Sequence, residues 1–254
     1  MIVVLSPAKT LDFSPIETNT VSQPRLLEES DNLVSVLKKK TATDIQKLMK
    51  VSEKIANLNV ERYQSFKTPF TTLNAKPSMF AFKGDVYTGL EADQFSQNEV
   101  KFAQKHIRIL SGLYGVLKPL DLMQPYRLEM GTKLKNGKFK NLYEFWDNRI
   151  TNLINEDMET ANTEILLNLA SKEYFHSIKK EKLKGKIIDV AFKENREGVL
   201  KIISFNAKKA RGRMAHLIVK EGITNANSLK SLVVNDYVYE EKYSNDSSLV
   251  FVKN

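Results

Sequence analysis

The sequence predicts an α/β fold, a single domain with a central mixed sheet and flanking helices, and three observations carry the prediction. Short apolar runs at Ile2 to Leu5, Met79 to Phe82, Ile107 to Leu110, Ile165 to Ala170 and Ile187 to Phe192 have the length of buried strands. Between them lie segments whose apolar residues recur at helical spacing. No Pro/Gly/Ser-rich linker divides the 254 residues, so residues 1–254 are read as one domain.

In chain order, Ile2–Leu5 is followed by the turn Ser6-Pro7-Ala8-Lys9-Thr10, and Pro24 opens a helix through Leu26, Leu33, Val34 and Leu37. Thr43-Asp44 and Ser52 are read as caps of two short helices. The run Met79–Phe82 stops at Lys83-Gly84-Asp85, and a helix over Asp93 to Lys105 leads into Ile107–Leu110. The aromatic stretch Asn141 to Asn155 reads as a helix facing the core. Ile187–Phe192 and Leu200–Phe205 are expected to pair around a turn at Glu194 to Gly198, and Asn206 to Ile218 then follows a helical pattern. A terminal hairpin turns at Asn245-Asp246.

The segment HIRILSGLYGVLKPLDLMQPYRLEMG, from His106 to Gly131, resists any single regular element because glycine and proline interrupt it. It is also too apolar for a solvated linker, with Leu113, Tyr114, Leu117, Leu122, Met123 and Tyr126 among its residues. Two readings stay open: a core plug, or a site-forming loop that delivers Arg127 and Glu129.

Composition excludes several chemistries. The absence of cysteine removes disulfides, thiol nucleophiles and thiolate metal sites, and three scattered histidines make a His-rich metal site improbable. No metal and no cofactor is expected. There is no GxGxxG after a strand and no Walker loop. No apolar run is long enough to span a membrane and Met1 leads directly into a strand, so a cytoplasmic protein is expected. The formal charge of +9 favours an anionic partner, either nucleic acid or a phosphorylated small molecule, without choosing between them.

Polar residues recur where apolar runs end: Lys9, Lys83 with Asp85 and Tyr87, Ser111-Gly112, Ser171, and Lys208-Lys209 with Arg211. Ligand sites gather beyond strand ends in sheets covered by helices, so parallel strands would bring these ends together with Arg127 and Glu129. Lysines act there as point charges and arginines fork onto phosphate oxygens. A neutral lysine at Lys83, with Asp85 or Glu129 moving protons, would make the same pocket catalytic. The competing reading pairs the charges among themselves, Lys83 with Asp85 and Arg127 with Glu129.

Several words of this sequence resemble the YaaA family of peroxide stress proteins. They are SPAKTLDF, FKGDVYTGL from Phe82, LSGLYGVLKPLDLMQPYRLEMG from Leu110, LYEFW from Leu142 and ISFNAKKARG from Ile203. They run in order over nearly the whole chain. The resemblance implies a mixed α/β domain with a basic cleft and a helix-hairpin-helix element. It also implies binding to duplex or distorted DNA and a role in limiting iron-driven damage under peroxide stress. Gly112-Leu113-Tyr114-Gly115 is the expected backbone-phosphate turn, although a Gly-x-Gly hallmark is replaced by Gly-x-x-Gly. The alternative function is an enzyme acting on a small anionic or nucleotide-like substrate.

Overall fold

Four consecutive residues of β1 (Ile2–Leu5) have no exposed surface, and a strand's successive side chains point to opposite faces, so this strand must be covered on both sides. In the computed structural model, which describes residues 1–16, 18 and 20–254, β1 sits near the middle of an eight-stranded sheet. The chain continues through β2 (Thr10–Leu11) to three helices, α1 (Leu27–Leu37), α2 (Ala42–Met49) and α3 (Glu53–Ser65). Then come β3 (Lys76–Pro77), α4 (Ser78–Ala81), β4 (Phe82–Lys83), α5 (Asp85–Leu90) and α6 (Gln97–His106). The central segment supplies β5 (Ile107–Ser111), β6 (Gly115–Leu117) and β7 (Leu122–Met123). After it follow α7 (Leu142–Trp146), α8 (Arg149–Thr160), β8 (Ile165–Asn168) and α9 (Lys172–Phe175). The last part comprises β9 (Lys186–Arg196), β10 (Val199–Lys201), α10 (Ser204–Lys220), β11 (Val238–Tyr239) and β12 (Ser248–Lys253).

The sheet order is β11-β12-β9-β8-β1-β5-β6, with β10 also paired to β9. β12, β9, β8, β1 and β5 run parallel, while β11, β6 and β10 add antiparallel pairs, so the sheet is mixed. α8 packs on β1 and β6 through Ile150, Ile154 and Met158, and α10 packs on β1 and β9. Burying a Leu, Ile or Val side chain contributes roughly 1.5–3 kcal/mol, and the apolar β1 to β5 core is where most of that gain accumulates. Among the described residues no helix is long and apolar enough to cross a membrane.

Two details set up the candidate site. First, Gly212 of α10 and Gly89 of α5 let the two helices touch through their backbones: a Cβ on Gly212 would stand 1.7 Å from the Val86 carbonyl oxygen. Second, α2 and α3 form a helical hairpin joined by Lys50-Val51-Ser52, with Lys50 left-handed at φ 52° and Ser52 accepting from the Ile55 amide. The first cap of that pair is Thr41, closed by Asp44 in a capping box, and not the expected Thr43-Asp44.

The sheet is further tied to α8 by a buried ion network. Asp157, 4% exposed, takes a hydrogen bond from Arg108 Nε and a bidentate pair from Arg25, with Lys118 Nζ at 3.6 Å. Burial opposes the charge, yet hydrogen bonds and charge from Arg108, then Arg25, hold the Asp157 carboxyl below the usual carboxylate range.

Two expected strands are corrected. Met79–Phe82 is mostly the helical turn α4, held by the Ser78 amide bonding to Asp121 and the Met79 amide to Pro119, and only Phe82 and Lys83 are extended. The strand expected over Leu200–Phe205 ends at Lys201, and Phe205 already lies in the first turn of α10.

Candidate functional site

The carboxyl ends of β1, β5 and β8 lie side by side, since Val4 is level with both Arg108 and Asn168. Side chains just beyond them knit a polar floor. The Tyr87 hydroxyl donates to the Ser6 carbonyl at 3.0 Å, and Ser6 Oγ accepts from the Ser171 amide at 2.8 Å. Ser111 Oγ is 2.6 Å from the Tyr126 hydroxyl. Burial pushes the phenols of Tyr87, Tyr126 and Tyr174 well up, so all three stay protonated and serve as hydrogen-bonding groups.

A belt of charge crosses the rim of this floor. At one end Lys208 Nζ is 4.0 Å from Asp85 at the start of α5. Lys83 pairs across the β2–β4 ribbon with Thr10, and its amine is 3.0 Å from Asp12 Oδ2. Hydrogen bonds from Ser14, then from Lys83, hold the Asp12 carboxyl far below its ordinary value. Gly84 approaches Ala8 so closely that a Cβ there would lie 3.3 Å from the alanine methyl. The neighbouring Lys9 then pairs with Glu129 at 2.6 Å, and Glu129 also accepts from Arg127 at 3.3 Å. Tyr63 of α3 donates to the Arg127 carbonyl, and burial, with Arg127 nearby, lowers the Arg62 guanidinium from its usual value.

This line of contacts holds six cations, Lys208, Lys83, Lys76, Lys9, Arg127 and Arg62, against three carboxylates, Asp85, Asp12 and Glu129. Lys209 and Arg211 add to the surplus, since neither makes an ion pair among the described residues. Burial lowers the Arg211 guanidinium, and its Nε, like that of Arg127, is sealed without an acceptor.

The structure therefore brings Lys9, Lys83, Asp85, Tyr87, Arg127, Glu129 and Lys208 into one connected region, and it changes their roles. Lys83 pairs with Asp12 and not with Asp85; it sits in the small ribbon and stands open to solvent. The charges of Lys208, Lys209 and Arg211 ride on a helix that begins after β10 rather than at a strand end.

Ser111, Gly112 and Gly115 are buried. Gly112-Leu113-Tyr114-Gly115 is the tight turn of the β5–β6 hairpin, with Gly115 at φ 68° and Ser111 paired to it. Gly112 offers its carbonyl to Trp146 Nε1 at 3.0 Å, and a Cβ on Gly115 would press on Leu26 and Trp146. The helix-hairpin-helix reading of this turn is corrected: it is a β-hairpin sealed in the core. Ten apolar side chains of residues 113–130 are buried, so the segment is a core plug that also carries Arg127 and Glu129 to the rim.

Asp12 and Arg62 were missed from sequence. Asp12 falls inside the word SPAKTLDF, but its partner is 71 residues away and only the ribbon joins them. A cleft of about 1500 Å³ lies between Phe13, Lys76, Phe80, Phe95 and Lys101, and none of the residues chosen from sequence lines it. Its walls mix polar and apolar side chains, and Lys76 joins it to the charged belt through Asp12. Two of the three histidines are buried in structural roles, His106 bonded to the Met1 carbonyl and His216 to the Leu90 carbonyl, while His176 is exposed beside the Tyr143 ring.

Comparison with known proteins agrees in extent with the fold. A family model described as "Peroxide stress protein YaaA" matches residues 1–243. A UPF0246 protein of Aliivibrio fischeri (strain ATCC 700601 / ES114) is 52% identical over 252 residues, covering 99% of this chain and 97% of its own length. A UPF0246 protein of Alteromonas mediterranea is 50% identical over 255 residues, covering 100% and 98%. With its matched words spread from β1 to α10 and its relatives aligned end to end, the chain belongs to the YaaA family of peroxide stress proteins.

Proposed function

We propose that the charged belt binds the phosphate backbone of DNA without reading its sequence, and that the protein limits iron-driven damage to that DNA under peroxide stress. The observation that carries this reading is the excess of six cations over three carboxylates along one connected rim. Asp12 is shared by Lys76 and Lys83, and Glu129 by Lys9 and Arg127, which holds the side chains in place while leaving net positive charge for phosphates. The α2–α3 hairpin reaches the belt through Tyr63 and Arg62. Its turn carries exposed Lys47, Lys50 and Lys54, and it takes the helix-hairpin-helix role that the Gly112–Gly115 turn does not fill.

Nicking of supercoiled plasmid by ferrous iron and peroxide tests the reading. Protection is expected from the wild-type chain and is expected to fall, together with DNA binding, in a Lys9→Gln, Lys208→Gln, Lys209→Gln variant. Full protection by a variant that no longer binds DNA overturns it.

A second reading, an enzyme for a small anionic or nucleotide-like substrate, rests on the two sealed guanidinium nitrogens of Arg127 and Arg211. Glu129, beside Arg127, and Asp85, beside Lys208, are the proton-moving groups of this reading, with Lys83 at the exposed edge. Calorimetric titration with pyrophosphate or a nucleoside monophosphate tests it: Arg211→Gln should abolish the heat of binding, and no heat with the wild-type chain refutes it.

A further inference from the structure

Three large apolar side chains fall within seven residues and all lie in solvent: Val199 is 55% exposed, Ile202 58% and Phe205 62%. Other large apolar side chains are exposed too, among them Leu73 and Val233, but these three fall together in one short segment, which makes a patch that something else can cover. It occupies the β10 edge and the first turn of α10. Helical spacing places Lys208 and Lys209, at i+3 and i+4 from Phe205, on the same face as the ring, and Lys201 is exposed on the other side. Lys208 is also the end of the charged belt, through Asp85.

From this juxtaposition we infer that Phe205 is a stacking platform for an unpaired base of a nucleic acid whose backbone lies on Lys208 and Lys209. The inference deepens the DNA reading above and rests on it. An aromatic face between cations that track a phosphate backbone is the arrangement by which single strands are held without sequence readout. Charge complementarity decides the occupant. A second copy of this chain docking face to face would bring Lys201, Lys208 and Lys209 against their own counterparts, and like charges at an interface are unfavourable.

The test measures anisotropy of a labelled oligo-thymidine strand and of a matched duplex at fixed salt, for wild-type, Phe205→Ala and Phe205→Trp chains. The site is at the surface, so these variants are expected to fold. Phe205→Ala should weaken the single strand about tenfold and the duplex by no more than about twofold, leaving the salt slope unchanged. Phe205→Trp should retain binding, and its emission should be quenched by the strand against the constant background of buried Trp146.

Unchanged affinities in Phe205→Ala, or unquenched emission at saturating strand, overturn the inference while leaving the belt reading intact. Loss of all DNA binding by the wild-type chain overturns both. Two further outcomes also overturn the inference: emission that shifts only with anionic phospholipid vesicles, and a wild-type dimer that Phe205→Ala dissociates.

Discussion

Replacing Gly212 with alanine sets two effects of opposite sign against each other, and the structure decides between them. In a helix interior alanine is favoured over glycine by about 1 kcal/mol. The new methyl, however, would stand 1.7 Å from the Val86 carbonyl oxygen and 3.0 Å from the Leu90 amide nitrogen. Both obstacles are backbone, so no rotamer change relieves the contact, and α10 must move off α5 by more than an ångström. Gly89 blocks the obvious retreat, because its own Cα already faces the Lys209 carbonyl.

Overpacking of this kind costs about 1–3 kcal/mol and more when backbone must shift, so the clash wins. Gly212→Ala should lose about 2 kcal/mol net, a fall of roughly 4–8 °C in melting temperature for a chain of this size. Thermal and urea melts followed by circular dichroism measure it. Gly137→Ala is the control, since no atom lies within 4 Å of its added methyl and little change is expected. A Gly212→Ala chain as stable as wild type would refute the close α5–α10 contact, and with it the placement of Lys208 beside Asp85.

Other outcomes follow from buried polar contacts. Asp157→Asn leaves Arg108 and Arg25 without their anion and should cost about 3–5 kcal/mol in a urea melt. Because the folded carboxyl titrates below the unfolded one, its stabilisation is complete above the unfolded pKa, about 3.9, and is lost as pH falls through the depressed folded value. The gap between Asp157→Asn and wild type should therefore be constant from pH 5 to 7 and shrink in strong acid; a gap that widens on acidification contradicts the assignment. Tyr126→Phe removes the hydroxyl beside Ser111 Oγ and should destabilise by about 1–2 kcal/mol, lowering the melting temperature by a few degrees.

How far the sequence reaches is seen in particular residues. β1 was readable because a strand buried on both faces is written as an unbroken apolar run, and β5 departs from that pattern only at Arg108, buried against Asp157, before ending at Ser111. Met79–Phe82 has the same look, yet four apolar residues do not distinguish a strand from a buried helical turn, and tertiary bonds to Pro119 and Asp121 chose the turn. The central segment was readable as packed because its leucines and tyrosines had nowhere else to go.

Which charges meet was only partly readable. Arg127 and Glu129 are two residues apart and pair as the competing reading had it, whereas Lys83 meets Asp12 through a ribbon that only the fold creates. The Gly112–Gly115 turn was misassigned because a glycine pair marks a tight turn without saying what flanks it, and here strands do.

The salt dependence of DNA affinity tests the central claim most directly. With Lys9, Arg62, Lys83, Arg127, Lys208 and Lys209 engaged and Lys76 buried beneath them, log Kd plotted against log salt should be linear with a magnitude of about five for a duplex of any sequence. The Lys208→Ala, Lys209→Ala pair should lower that slope by about two on every sequence tested, since each phosphate contact contributes about 0.9. A salt-independent affinity, or a double variant with the wild-type slope, contradicts a phosphate-binding belt that ends at α10.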